Sequence, residues 1–383
     1  MRLFALVACS ATACSLLIDT SLKGKSWGRA IPGEEPPQRS ARLQSHQEHQ
    51  ARQKARRLAR LDALLDDACV ELREAEAQPC GVSDIDWAAL PPGCDPMLVT
   101  RKMSGTKRGQ RKREQVSAMA WLLQTSLLPH VSNPTPVIID AGCGTGSLLL
   151  PLAALFPSAT FVGIDTKAGS LERLASRAAA ANLSSRVVAW HGRIEDYDAE
   201  CDCLLSLHAC GGASDASLRL AAERSAPFAV SPCCIGKLRR EPASERLREM
   251  IAAGADATAG EEAEASAART KVFALLAAWA DSEHVAVAPM APSIARSSRE
   301  SHAASEAAQA AHIAASKRRQ QSKTLVELDR LWAMDEWQRE QREHDADSRR
   351  GRESSEPAAG RLLRITGDAM ATSGQVEVLT GPA

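Results

Sequence analysis

Asp140-Ala141-Gly142-Cys143-Gly144-Thr145-Gly146 is the stretch of the chain whose residue types and spacing point most directly to ligand chemistry. The glycines allow a tight turn and let a ligand approach the backbone closely, and a helix beginning there offers unpaired N–H groups. The spacing is G-x-G-x-G with an acid just before it, not the G-x-G-x-x-G of a dinucleotide-binding turn. About twenty residues on, Gly163-Ile164-Asp165 ends a second apolar stretch, and a carboxylate at that place can accept both hydroxyls of a ribose. A third apolar stretch is followed by Gly192-Arg193-Ile194-Glu195-Asp196.

A second group joins histidine and cysteine. Leu207-His208-Ala209-Cys210-Gly211 is followed by Asp215, and Ser231-Pro232-Cys233-Cys234 by Gly236. Three uses stay open for it. His208 or Asp215 could serve as a base in a substrate pocket that Cys210, Cys233 and Cys234 help to shape, and a cysteine nucleophile would need its pKa lowered by a neighbour such as His208. The cysteines could be small buried hydrophobes. With Cys201 and Cys203 they could bind zinc, although C-x-C and C-C lack the paired C-x-x-C spacing of a structural site, and no metal is expected. A third group is basic: Arg101, Lys102, Lys107, Arg108, Arg111, Lys112 and Arg113, without an acid among them. It suits contact with nucleic-acid phosphates, and equally a solvated helix start.

The elements that must position these groups alternate. Residues 137–140, 160–165, 187–190, 202–207 and 228–231 read as strands, and 148–155 and 170–181 as helices. Apolar strands separated by helices indicate a parallel sheet covered on both faces, with ligands bound beyond the carboxyl ends of the strands. The two stretches carrying His208 and Cys233 are then neighbours, and their ends converge on one rim. Residues 58–77 show helical periodicity, and a helix over residues 114–128 follows the basic run. Residues 325–337 are helical, 338–360 a charged loop, and 362–366 with 375–379 a closing hairpin around Thr372-Ser373-Gly374.

The chain of 383 residues carries 47 Lys+Arg against 47 Asp+Glu, which excludes a histone-like polycation but leaves local basic sites open. Hydrophobic residues at 44% suffice for a core, and 3% aromatics argue against an aromatic-stacking RNA module. Eleven cysteines fall short of a disulfide scaffold. No apolar run reaches the roughly 20 residues of a membrane span, so no membrane insertion is expected of the mature chain, and no obligate protein partner is evident. Residues 1–60 are read as a targeting-like or disordered basic segment. A charged start with an apolar stretch of signal-peptide length is followed by an acid-poor, Arg-rich stretch like an organelle transit segment; without targeting the location would be cytoplasmic. Residues 61–100 are read as a helical extension and connector. Residues 101–383 form the main domain, with a low-complexity Ala/Ser-rich insertion at about 291–320.

The glycine loop, with Asp140 before it and Asp165 after, resembles the S-adenosylmethionine (SAM) loop of the class I methyltransferases. The segments Leu207-His208-Ala209-Cys210-Gly211 and Pro232-Cys233-Cys234, with Trp87, Arg111-Lys112-Arg113-Glu114-Gln115, Arg177 and Leu325-Val326-Glu327-Leu328-Asp329-Arg330-Leu331 in order, are similar to the methyltransferase domain of the glutathione S-transferase C-terminal-domain-containing protein family. The tRNA acceptor-stem 2′-O-methyltransferases carry a related stretch. The resemblance implies a doubly wound, Rossmann-like α/β fold with a mixed seven-stranded sheet and a C-terminal antiparallel hairpin. It implies SAM held by Asp140, Gly142, Gly144, Gly146, Asp165 and Glu195. RNA is the leading substrate expectation, with Arg111, Lys112 and Arg113 as phosphate contacts. The alternative is a SAM-binding but inactive or zinc-stabilised interaction protein. The sequence departs from the family in having no transferase-like domain upstream and no Ser-Pro-Lys-Asn stretch at its closing turn.

Overall fold

A computed structural model describes residues 36–74, 78–98, 104–232, 235–236, 238–253, 262–281, 298–348, 361–365 and 376–381. Five parallel strands form the centre of the sheet: β2 (Val137–Ala141), β3 (Thr160–Asp165), β4 (Val187–His191), β5 (Cys203–Leu207) and β6 (Phe228–Ser231). Short strands β1 (Gln78–Cys80), β7 (Arg361–Ile365) and β8 (Val376–Gly381) extend it, so the order is β1-β7-β8-β6-β5-β2-β3-β4. Strand β8 runs antiparallel to β6 and β7, with Ala229 opposite Thr380 and Leu363 opposite Val378. The sheet therefore has eight strands among the described residues, not seven. The extra one, β1, pairs parallel with β7 from a Pro-containing connector that offers little strand signal. The turn around Thr372-Ser373-Gly374 lies outside the described residues.

Alternation along each strand splits the core between two faces. Ile138, Phe161, Cys203, Leu205 and Ala229 face one layer of helices: α3 (Lys107–Leu122), α4 (Leu149–Leu155) and α5 (Ala168–Ala180). Ile139, Val162, Leu204, Phe228 and Val230 face α6 (Gly212–Glu223) together with Leu331 and Met334. Thr106 caps α3, its Oγ1 accepting from Gly109 N at 3.1 Å, so the helix starts within the basic run and not at Glu114.

A third cluster is helical. α1 (Pro36–Asp67) contributes Leu61, Leu64, Leu65 and Ala68 just past its end, and short α2 (Cys69–Glu74) follows. They pack with α7 (Glu245–Ala253), α8 (Glu262–Ala280) and α9 (Ser298–Ser348). Two expectations are corrected here. Residues 36–60 are helical, because Gln, Arg and Ala are good helix formers and the packed end supplies a nucleus from which the helix propagates. Residues 298–320 of the Ala/Ser-rich insertion are likewise the first part of the 51-residue α9, seeded by the buried Leu325, Val326, Ala333 and Met334; residues 291–297 lie outside the described residues. The same helix runs through to Ser348, where a charged loop was expected. Residues 1–35, with the signal-like stretch, and Arg101 and Lys102 lie outside the described residues. Among the described residues no helix is long and apolar enough to cross a membrane.

Candidate active site

Strand order reverses between β2 and β5: β3 and β4 lie to one side, β6 to the other. At such a switch point the connections leave the sheet on opposite faces and open a crevice at the carboxyl ends. The glycine loop leaves β2 there, and His208 leaves β5.

The loop is held by backbone. Gly142 N and Cys143 N both donate to Ile164 O, at 2.9 and 3.0 Å, and Gly146 N donates to Cys143 O at 3.0 Å. Gly142, Gly144 and Gly146 all have positive φ. Gly144 and Gly146 differ in surroundings. A Cβ on Gly144 would meet nothing within 4 Å, whereas one on Gly146 would lie 2.4 Å from Leu174 Cδ1. Gly144 thus borders open space and Gly146 closes against α5. Asp165 ties the tip down: its Oδ2 accepts from Gly144 N at 2.9 Å and its Oδ1 from Lys167 N at 2.8 Å. Each oxygen keeps a lone pair for a further donor. Arg177 donates to Thr145 O and to Gly93 O, the latter at 2.6 Å, stapling the loop to the connector before α3.

Asp140 is 2% exposed, and its Oδ2 has no hydrogen-bond partner among the described residues. Burial pushes its pKa up to about 7, reinforced by Asp165 and opposed by the nearby Lys112 ammonium. A buried carboxyl with an unused oxygen at the root of a glycine loop fits a ligand ammonium, as the amino-acid end of SAM would present. Glu195 sits exposed in the loop after β4, held by Arg193 at 3.0 Å, which keeps its carboxyl below the usual range. Gly192 N donates to Asp165 O at 3.2 Å, so the Glu195 loop is joined to the end of β3.

His208 has φ +69°, a left-handed conformation that a non-glycine residue takes only when its surroundings hold it. Its N–H donates to Ser231 O at 3.1 Å, and its Nε2 lies 3.1 Å from Gln115 Oε1. Burial lowers its pKa to about 4, with Lys112 adding to the effect, so the ring is neutral at neutral pH. Gln115 is 8% exposed. The sequence resemblance includes it, as the end of the stretch Arg111-Lys112-Arg113-Glu114-Gln115, but gives it no role. Cys210 is exposed, its Sγ 3.3 Å from His208 O, while Cys233 and Cys234 lie outside the described residues.

Asp215 is corrected as a base. Arg240 donates to both of its oxygens at 2.9 and 3.0 Å, and Arg330 to Oδ1 at 2.7 Å. Burial alone would raise its pKa, but the two guanidinium groups overcome that and lower it. Arg330 is 1% exposed; it also pairs with Glu327 at 3.0 Å and donates to Gly211 O at 3.3 Å. Asp329 accepts from Arg240, Ala243 N, and Ser244 N and Oγ, at 2.8–3.1 Å. Asp215 therefore belongs to a buried ionic network that sets the start of α6 beside His208. The sequence resemblance placed Glu327, Asp329 and Arg330 in order, but no local pattern tells that they reach Asp215.

The basic run is also divided by the structure. Arg113 is corrected as a phosphate contact: Asp95 engages it through both carboxylate oxygens, and its guanidinium lies 5.3 Å over the Trp87 ring. Arg111 and Lys112 are half-buried, and Lys112 directs its charge at Asp140 and His208. Among the described residues no three His, Cys, Asp or Glu side chains come together as a metal site. Cys201 and Cys203 are buried; burial pushes the Cys201 thiol up to about 12 and holds the Cys203 thiol well above its ordinary range, so both pack as neutral side chains.

Residues 111–241 match the family model described as a methyltransferase domain. The parallel sheet, the helices on both faces and the site at the switch point give this part of the chain the architecture of a Rossmann-like methyltransferase domain, in agreement with that match. The chain is 31% identical over 162 residues to the glutathione S-transferase C-terminal domain-containing protein homolog of Drosophila pseudoobscura pseudoobscura, covering 42% of this chain and 26% of that one. It is 29% identical over 182 residues to the Xenopus laevis protein of that name, covering 46% and 28%. It therefore spans about a quarter of the length of these relatives. A tRNA (guanine-N(7)-)-methyltransferase of Chloroflexus aurantiacus is 50% identical over 50 residues, 13% of this chain and 22% of that one. A solved geranyl diphosphate methyltransferase in complex with SAM is similar at 16% identity and a TM-score of 0.27, covering 41% of this chain and 63% of that one.

Proposed function

We propose that the protein transfers a methyl group from SAM to RNA. The observation that carries the donor assignment is the crevice itself: Asp140 with an unused buried oxygen, Gly144 bordering open space and Asp165 at the end of β3, all at the switch point. We read the frame as the seven-stranded class I arrangement closed by the β7–β8 hairpin, with β1 as an edge addition.

Asp140 and Asp165 bind the two polar ends of the donor's amino-acid and nucleoside parts, and Gly144 leaves room between them. Glu195 lies where an adenine would be reached. SAM, when bound, supplies an electrophilic methyl carbon on a sulfonium. His208 is a neutral hydrogen-bonding group on the opposite lip, oriented by Gln115 and by the Arg330 network. Being neutral at neutral pH, it can orient an acceptor and accept its proton once the forming methyl bond has made the acceptor strongly acidic; its depressed pKa makes it too weak a base to ionise the acceptor beforehand. Alignment of acceptor and methyl in line supplies the larger share of the rate.

RNA is favoured over a protein acceptor by the exposed Lys107 and Arg108 that open α3, the helix carrying Gln115, and by the name of the tRNA-modifying relative. The test is calorimetric titration of SAM into the full chain and its Asp165→Ala variant, followed by transfer of labelled methyl to pooled RNA and pooled protein. Binding weakened by the substitution and label in RNA support the reading. Label in protein alone overturns the substrate, and no SAM binding by a folded sample overturns the donor.

A further inference from the structure

The charge of this chain is zero overall but not along α1. Residues 36–60 hold seven Lys and Arg (Arg39, Arg42, Arg52, Lys54, Arg56, Arg57, Arg60) against one acid, Glu48. The rest of the helix, residues 61–67, holds three acids, Asp62, Asp66 and Asp67, and no cation. The acids fall in the part that is packed, the cations in the part that is not. Arg52, Arg56 and Arg57 are exposed, and the Arg52–Glu48 pair, at 3.8 Å with both side chains more than half exposed, is too open to hold Arg52.

Nothing in the folding of α1 accounts for this arrangement. Arg52, Arg56 and Arg60 recur every fourth residue, so they stack on one face about 6 Å apart, and like charges at that spacing repel. None lies in the last turn, where the helix dipole would favour a cation. Leu43 and Leu58 are the only large apolar residues between Pro36 and Arg60, too few for a helix that lies in a membrane surface.

We propose that this face of α1, together with the exposed Arg57 that flanks it, is a docking surface for RNA, with the arginines on successive phosphates of one strand. Arginine suits phosphate because its planar fork can bond two oxygens at once. The surface extends onto α9: Arg318 pairs with Asp62, which brings the exposed Lys317 beside the base of the helix. It is also rooted at the active-site rim. Leu61, Leu64 and Leu65 share a core with Ile235 and Leu238, in the segment that follows β6. The cationic stretch is about 37 Å long at the rise of an α-helix and stands on that core. RNA held along it is anchored on the core that the segment following β6 joins. The proposal rests on the reading of RNA as substrate and adds where it is gripped.

The test uses the full chain, a fluorescent RNA stem-loop of mixed sequence and the triple variant Arg52→Gln, Arg56→Gln, Arg57→Gln, whose side chains are all exposed. The wild type should bind the stem-loop with an affinity that falls steeply with salt. The variant should bind at least tenfold more weakly, and the slope of log affinity against log salt should shrink by about 2–3, since each phosphate contact contributes about 0.7–0.9. Circular dichroism and SAM titration should match the wild type. Equal affinity and slope in the two proteins overturn the surface, as does tighter binding to phosphatidylserine vesicles or polyglutamate than to the stem-loop. Absent RNA binding with SAM binding intact overturns the docking surface and leaves the methyltransferase reading standing. RNA binding that depends on the three arginines, with SAM binding absent, supports the surface and overturns the donor assignment instead.

Discussion

Gln115 Oε1 and His208 Nε2 stand 3.1 Å apart, one on the helix before the sheet and the other just beyond its fourth central strand. The contact crosses the crevice, so the ring is held from the face opposite its own strand. Gln115→Leu removes it while keeping the side chain's bulk. Methyl transfer is expected to fall about 10²-fold, the cost of a small misplacement of a reacting group. SAM affinity should be unchanged, and single-turnover kinetics beside calorimetry separate the two. Equal transfer rates would show that His208 needs no such support.

Asp140 gives the site a pH dependence of definite sign. Its folded pKa of about 7 lies above the usual carboxylate range, so folding favours the protonated form, and its contribution to stability declines as pH rises toward 7. A ligand ammonium needs the ionised form. SAM affinity should therefore fall about tenfold for each pH unit below 7, with a proton released on binding near neutrality. Asp140→Asn should bind weakly and without this dependence. Calorimetry in buffers of different ionisation enthalpy reads both.

Gly144 and Gly146 should fail differently when given a methyl group. Gly144→Ala meets no atom, so it carries only the strain of positive φ, roughly 1–2 kcal/mol, but fills space that the donor occupies. Gly146→Ala drives a carbon against Leu174 as well, and overpacking adds about 1–3 kcal/mol. Urea denaturation should rank Gly146→Ala as the less stable protein, while the folded Gly144→Ala protein has lost SAM binding.

Arg330→Met leaves Glu327 without its guanidinium and Asp215 with Arg240 alone. Breaking a buried pair costs about 3–5 kcal/mol. The midpoint of urea denaturation should shift accordingly, and the residual folded protein should transfer methyl slowly because the Gly211 carbonyl beside His208 loses its donor. A shift below about 1 kcal/mol would mean that the network is solvated.

The parallel centre of the sheet and the glycine loop were legible because both are local: apolar runs of strand length, glycines at fixed spacing and an acid at a strand end. The role of Asp215 was not legible, because its two arginines come from residues 25 and 115 positions away. Arg113 looked like a phosphate contact for the same reason, Asp95 being 18 positions upstream across irregular chain. The long helix α9 was obscured by composition: Ala and Ser runs read as low complexity until a packed end is known to seed them. Gln115 was visible only as the end of the Arg111–Gln115 stretch of the resemblance; its role was not, because a single amide in a helix carries no pattern of its own.

The 115-residue gap between Asp215 and Arg330 also orders events during synthesis. At roughly 5–20 residues per second, about 6–23 s pass between the emergence of the carboxylate and that of its deeper counter-charge. All five parallel strands and the glycine loop are made before it, so the nascent domain can assemble its sheet while α6 still lacks Arg330. Closure of the rim around His208 then awaits the last third of the chain, which keeps the crevice incomplete until the helix that locks it has been translated.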